Sequence, residues 1–302
     1  MISKVSIIIP TYNEEENIFH IYEKIKEVLM KTSYNYEIIY VNDGSKDRSQ
    51  DIIEDLSNKD KRVKFVEFTR NFGHQAAILA GYDHANGDAI ITMDCDLQDP
   101  PELIPLMLKK WSEGFDVVYA RRVNREDGFF KKFTARYYYS LIKNSSGFVI
   151  PEDVGDFRLI DRKTLGEIKK MKEKSIYLRG MVAWTGFPHT FVDFDRPNRK
   201  YGQTKYSLKK MTNLAIDGIF NNSRLPISMI SFLTLISIFT FLITFVIATL
   251  KYSSIIKLMT LFIMILLTFI ILMIWIVGNY LVRIYDEIKD RPRYIIKKKS
   301  IK

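Results

Sequence analysis

Cysteine occurs once in the 302 residues, at Cys95, so no disulfide can form within the chain, as suits a reducing compartment. Histidine is nearly as scarce: His20, His74, His84 and His189 are scattered without zinc-ligand spacing, and each reads as a surface or core residue. No Gly-x-Gly-x-x-Gly follows the first apolar run, which excludes a dinucleotide fingerprint. A Gly-x-x-x-x-Gly-Lys phosphate loop and a Gly-x-Ser-x-Gly elbow are also missing. The run Val5–Ile9 is too short for the apolar core of a signal peptide and stops at Pro10-Thr11, so it reads as a buried strand. No base-reading module accompanies the formal net charge of +10, and nucleic acid is not an expected partner.

What the chain does have is apolar mass, 47% hydrophobic residues, unevenly placed. Residues 225–250 and 258–282 are apolar runs of about 25 residues each, long enough as helices to cross a hydrocarbon core of ~30 Å. The linker between them is short, so the pair reads as a transmembrane hairpin. Lys205, Lys209, Lys210 and Arg224 precede it, and Arg283, Lys289, Arg291, Arg293, Lys297, Lys298, Lys299 and Lys302 follow it. The excess of positive charge on these flanks predicts a multi-pass protein of the cell membrane with both termini cytoplasmic. Residues 283–302 read as a basic tail whose lysines meet anionic headgroups. Between them, residues 206–224 carry an apolar stripe (Leu208, Met211, Leu214, Ala215, Gly218, Ile219) and read as an amphipathic helix, either in the membrane interface or packed on the preceding domain.

Residues 1–205 read as one folded domain. Short apolar runs at Val5–Ile9, Glu37–Val41, Val63–Phe68, Ala89–Met93 and Asp116–Tyr119 alternate with helical patterns, which predicts a Rossmann-like, mostly parallel α/β sheet. Ligands of such sheets bind beyond the carboxyl ends of the strands. The residues there are Pro10-Thr11-Tyr12-Asn13-Glu14, Asn42-Asp43-Gly44-Ser45, Thr69-Arg70-Asn71-Phe72-Gly73, Asp94-Cys95-Asp96, and Arg121-Arg122, so one rim collects carboxylates and arginines.

Asp94 and Asp96 raise a question of charge. Two carboxylates one residue apart repel unless something positive sits with them. At i and i+2 of an extended segment they face the same way, and with Gln98 they offer hard oxygen ligands to Mg²⁺ or Mn²⁺. The alternative is a pair of aspartates capping the next helix. Cys95 between them points inward as a small packing residue.

These stretches, Ile7-Ile8-Ile9-Pro10-Thr11-Tyr12-Asn13-Glu14, Val41-Asn42-Asp43-Gly44-Ser45 and Asp94-Cys95-Asp96-Leu97-Gln98-Asp99-Pro100-Pro101, resemble the inverting family 2 glycosyltransferases of GT-A fold. Gly155-Asp156-Phe157-Arg158-Leu159 and the run from Arg196 to Tyr206 resemble its polyprenyl-phosphate branch, that of dolichol-phosphate mannose synthases and bacterial undecaprenyl-phosphate glucosyltransferases. The resemblance spans nearly the whole chain. Cysteine stands where that branch usually has alanine within Asp-x-Asp.

The resemblance implies roles. Pro10, Tyr12, Glu14, Val41 and Asp43 would hold base and ribose; Asp94, Cys95 and Asp96 would line the diphosphate, with Asp94, Asp96 and Gln98 on the metal; Arg122, Arg199 and Lys205 would grip phosphates. Asp156 and Arg158 would join Asp96 as catalytic residues, with Asp156 acting as base, orienting the sugar or positioning Arg158. Lys131, Lys132 and Arg136 would receive the acceptor phosphate, or else form a solvated basic face. The implied activity is transfer of a single sugar from a nucleotide sugar, expected to be a UDP-sugar such as UDP-glucose or UDP-N-acetylglucosamine, to undecaprenyl phosphate at the cytoplasmic face, for cell-envelope glycosylation. A homo-oligomer, a tetramer by resemblance, is a further expectation. The competing functions are a processive polysaccharide synthase, for which the chain lacks a Gln-x-x-Arg-Trp motif, and an inactive nucleotide-binding membrane scaffold.

Overall fold

A computed structural model describes residues 3–123, 148–174, 176–195, 225–250 and 255–301. The acceptor candidates Lys131, Lys132 and Arg136, the phosphate candidates Arg199 and Lys205, and the expected amphipathic helix at 206–224 lie outside the described residues.

The chain runs β1 (Lys4–Thr11), α1 (Ile18–Met30), β2 (Asn35–Asn42), α2 (Ser49–Lys59), β3 (Val63–Phe68), α3 (His74–His84) and β4 (Ala89–Thr92). A 3₁₀ turn, Pro101–Leu103, leads into α4 (Ile104–Ser112), with Pro101 at the first position, where a missing N–H costs nothing. Then come β5 (Val117–Arg122), β6 (Val154–Asp161), α5 (Arg162–Lys170), α6 (Leu178–Trp184) and β7 (His189–Phe194), followed by α7 (Leu225–Leu250), α8 (Ile255–Ile288) and β8 (Ile296–Lys299).

The strands form one mixed sheet in the order β7-β5-β6-β4-β1-β2-β3-β8. Alternation along β1 sends Ile7 and Ile9 to one face, against α1, and Ile8 to the other, against α3. Ile18, Ile21, Tyr22, Ile25 and Leu29 are the buried stripe of α1, and each such side chain contributes about 1.5–3 kcal/mol by leaving water. On the opposite face α3 lies so close that a Cβ added at Gly81 would stand 2.1 Å from Cγ2 of Ile8, which makes glycine a packing requirement. β1 continues through Pro10 because its last pair with β4 is Ile8 with Thr92, so Pro10 lies where that flank is no longer laddered.

The five expected strands are present and run the same way. The sheet is mixed because β6 inserts between β4 and β5 antiparallel to both. This inversion brings the beginning of β6, and not its end, to the rim where β4 ends. β7 adds to β5 in parallel, and β8 to β3 in antiparallel.

The chain divides into two compact units, residues 1–139, 148–208 and 292–302 in one, 140–147 and 209–291 in the other. The end of the expected tail at 283–302 therefore belongs to the catalytic unit. Its lysines find carboxylates of the protein: Lys297 pairs with Glu67 and Lys298 with Glu54, each at 2.7 Å. In the second unit, Leu258–Ile288 is long and apolar enough to cross a membrane, by length and composition. It packs on α7 through Phe241 and Phe262, ring centroids 5.3 Å apart, and Thr234 donates to Met273 Sδ at 3.6 Å.

Candidate active site

The loops after β1 and β2 are laced together. Asn13 N donates to Ser45 Oγ at 2.9 Å, Lys46 N to Asn13 Oδ1 at 2.8 Å, and Glu14 N to Ser49 Oγ at 2.9 Å. Asn13 occupies the left-handed region at φ 52°, which asparagine tolerates. Pro10 and Val41 are register partners, so two of the expected base-holding positions lie side by side at the ends of adjacent strands. Tyr12 and Glu14 follow on the same rim, and Glu14 accepts from Asn17 Nδ2 at 2.7 Å.

Asp43 is buried, and its carboxylate is already engaged. Phe72 N and Gly73 N donate to its two oxygens at 2.6 and 2.9 Å. Asp43 thus shapes the loop after β3, a role its expected place in nucleotide binding did not include. Burial raises its pKa against the pull of these two amides. Gly44 beside it has φ +68°, and a Cβ there would lie 2.5 Å from the Arg70 carbonyl carbon, so glycine is required on both counts.

The Asp-x-Asp segment follows β4, which ends at Thr92, as a turn and not as the extended segment expected from the i, i+2 spacing. Asp94 N donates to Oδ2 of buried Asp99 at 2.9 Å, and Gln98 N donates to Asp96 Oδ1 at 3.1 Å, with Leu97 at φ 61°. Burial, with Asp94 next to it, pushes the Asp99 carboxyl upward. Cys95 is buried in the hydrophobic core, as expected, and burial raises its thiol well above the ordinary value. The side chain of Asp94 remains 30% exposed, while Asp96 as a residue is 8% exposed. Among the described residues, no three His, Cys, Asp or Glu side chains converge on a metal position.

The inverted β6 completes the rim. Thr92 pairs with Arg158, so Asp156, two residues earlier, reaches the rim beside the Asp94 turn. Arg158 Nη2 donates to Asp156 Oδ1, and Arg179 Nε at the start of α6 lies 3.4 Å from the same oxygen. Gln75 Nε2 reaches Oδ2 at 3.2 Å, and His74 Nε2 lies 3.4 Å from it. His74 Nε2 is also 3.6 Å from Asp94 Oδ1, so the ring bridges the Asp-x-Asp turn and β6. Burial works against its charge, but the bond to Asp156 and the charge of Asp94 outweigh it and raise His74 to about 9. Burial raises the Asp156 carboxyl; Arg179, His74 and Arg158 overcome that and hold it well below the carboxylate range. Arg158 is completely buried. Arg122 ends β5 against Gly155, where a Cβ would meet its Nη2 at 3.0 Å.

The structure thus gathers Pro10, Tyr12, Glu14, Val41, Asp43, Asp94, Cys95, Asp96, Gln98, Arg122, Asp156 and Arg158 along the carboxyl rim of the sheet or directly beneath it. His74, Gln75 and Arg179 belong there too, and the sequence does not single them out. His74 looks like an ordinary histidine in sequence because its partners lie 20 and 82 residues further along the chain. Its place as the first residue after the β3 rim loop was the available signal.

The sheet is GT-A-like, and the family of the chain makes it a glycosyltransferase. The chain belongs to the glycosyl transferase family 2, whose family model matches residues 6–169. It is 48% identical to an uncharacterized glycosyltransferase of Bacillus subtilis, YkcC, over 97% of this chain and 93% of that protein. It is 39% identical to the SfII prophage-derived bactoprenol glucosyl transferase of Shigella flexneri, over 98% of each. Among solved structures, the fold is similar to glucosyl-3-phosphoglycerate synthase from Mycobacterium tuberculosis in complex with Mn²⁺, uridine diphosphate and glucosyl-3-phosphoglycerate. That match has a TM-score of 0.51 at 15% identity and covers 71% of this chain and 76% of that one. Mannosyl-3-phosphoglycerate synthase from Rubrobacter xylanophilus matches with a TM-score of 0.50 at 18% identity, over 71% of each.

Proposed function

We propose that this glycosyltransferase transfers one sugar, with inversion, from a UDP-sugar to undecaprenyl phosphate at the cytoplasmic face of the cell membrane. The observation that carries the reading is the full-length likeness to a protein named for glucosyl transfer to bactoprenol, joined to a rim that sets the Asp94–Asp96 pair beside Asp156. The fold neighbour binds Mn²⁺ and uridine diphosphate, which supports a divalent ion and a uridine donor here.

In this reading Pro10, Tyr12, Glu14 and Val41 hold the nucleoside, and Arg122, Arg199 and Lys205 hold phosphates by charge-assisted bonds. Asp94 and Asp96, with Gln98 adjacent, would hold a Mg²⁺ or Mn²⁺ ion, which when bound supplies positive charge to a departing diphosphate. Lys131, Lys132 and Arg136 receive the lipid phosphate. Its second pKa is about 6, so it arrives largely as a dianion that needs little help from a base. A phosphate oxygen forms the bond to the anomeric carbon as the bond to the diphosphate breaks. Asp156, surrounded by His74, Gln75, Arg158 and Arg179, serves as a fixed negative charge that orients these donors around the sugar, and not as a proton acceptor.

Two membrane crossings are part of this reading. Strand β8 comes after α8 yet pairs with β3, which precedes α7, and an even number of crossings between them is what supports it. In this reading α7 crosses together with α8; at 26 residues, ~39 Å at the helical rise, it is long enough.

The test is a panel of nucleotide sugars with undecaprenyl phosphate and purified full-length enzyme, read by the mass of the lipid product. A lipid bearing one hexose or N-acetylhexosamine, lost on addition of a chelator and in Asp96→Ala, is expected. Absence of transfer from every common donor, full activity of Asp96→Ala, or products longer than one sugar would refute it; the last points to a polymerising synthase.

A further inference from the structure

We propose that residues 293–300 are a strap that positions the active-site loop 69–74, with Tyr294 as its positioning residue. The loop joins β3 to α3 and leads directly into His74. Each part of it is clamped. At its middle the backbone of Arg70 and Asn71 lies against Gly44, leaving no room for a Cβ. At its end Phe72 N and Gly73 N are fixed by Asp43. At its beginning the clamp is the strap: Thr69 N donates to the Ile295 carbonyl at 3.0 Å.

Side chains repeat this connection. The ring of Tyr294 stacks on Phe68, centroids 4.9 Å apart and planes at 16°. Phe68 in turn meets Phe72 edge-on at 5.6 Å. The Tyr294 hydroxyl donates to Asp83 near the far end of α3 at 2.7 Å, so one side chain ties the strand before the loop to the helix after it. Arg293 Nη2 donates to the Met171 carbonyl at 2.7 Å, Phe65 N donates to Ser300 Oγ at 2.9 Å, and Ser300 N donates back to the Phe65 carbonyl at 3.1 Å. The pairs of Lys297 and Lys298 involve lysines 62% and 55% exposed, and exposed pairs add little. The ladder and the aromatic column therefore hold the strap, and through Phe72 and Gly73 it acts on Asp43 and His74. The strap's effect on catalysis rests on the activity proposed above; its effect on the loop does not.

Hydrogen exchange of the full-length protein in detergent, without substrate, tests the loop directly. In Tyr294→Leu, which keeps apolar bulk but removes the stack and the hydroxyl, the Thr69, Phe72 and Gly73 amides should exchange about tenfold faster, as the loss of an aromatic pair implies. Amides of β1 and β4 should be unchanged, and Tyr294→Phe, which keeps the stack on Phe68 and loses only the bond to Asp83, should raise loop exchange less than Tyr294→Leu does. Under saturating acceptor, Tyr294→Leu should also raise the KM for the sugar nucleotide. Unchanged loop exchange, or an equal rise throughout the sheet, overturns the proposal. A measurement needing no variant guards against a misfolded one: in wild type the Thr69 and Ser300 amides should show one common opening free energy once their intrinsic rates are divided out, and separate values overturn it too. If wild type shows no sugar transfer, the exchange data still decide the strap.

Discussion

Replacing Asp156 by asparagine separates the two things its carboxylate does. Four donors face it: Arg158 and Arg179 on Oδ1, and Gln75 and His74 on Oδ2. An asparagine amide has one oxygen, so its NH₂ group must face one pair of donors whichever way it turns. Arg158 is fully buried, and its Nη1 finds no hydrogen-bond partner among the described residues, so it depends on this one counter-charge. Removing one partner of a buried pair costs about 3–5 kcal/mol. For a domain of some 200 residues, that lowers Tm by roughly 6–20 °C. Thermal unfolding of the detergent-solubilised protein measures it. Arg158→Met in the same chain removes the stranded charge at similar volume, and Tm should return most of the way, since apolar replacement of a buried pair is often neutral. Sugar transfer should stay low in the double variant, because Arg179 and His74 have still lost their anchor. Wild-type Tm in Asp156→Asn would refute the electrostatic argument, and full transfer in the double variant would refute the site.

Three further outcomes follow. Glu37 is 2% exposed; burial pushes its carboxyl up, but Lys4, Lys64, Ser6 and the Asn86 amide bring it down to about 2 from 4.5. Its folded pKa is depressed, so its contribution, roughly 3 kcal/mol, is present above about pH 4.5 and lost as pH falls through about 2; Glu37→Gln should flatten the acid limb of a stability–pH curve. Gly44→Ala, strained at φ +68° with no space for a Cβ, should destabilise by more than about 1 kcal/mol in urea unfolding and weaken nucleotide binding in calorimetry. Cys95 is buried with a raised thiol pKa, so iodoacetamide should label it only after denaturation, and Cys95→Ala should retain most of the activity.

Local pattern was enough to locate β1 to β5, the four helices between them and the rim clusters, because apolar periodicity and turn chemistry are written in neighbouring residues. Asp94, Asp96 and Asp156 were legible as a set only through family resemblance, since nothing local links residues 60 apart. His74, Gln75 and Arg179 looked ordinary; their importance comes from a carboxylate delivered by a strand inserted in reverse. The segment Ile296–Lys299 was read as a basic tail because Ile-Lys-Lys-Lys has no strand alternation. It becomes a strand because the edge of β3 offers it unpaired backbone groups, with Glu67 on that strand and Glu54 on α2 for two of its lysines. The sequence by itself determined the first five strands, which helices are apolar enough for lipid, and that a pair of carboxylates stands at a strand end; β6, β7 and β8 were not legible in it. Tertiary structure decided which distant side chains share that end and that Ile296–Lys299 joins the sheet beside β3. Backbone ladders and burial couple residues without regard to their separation in sequence, and charge acquires its meaning only from what is packed beside it.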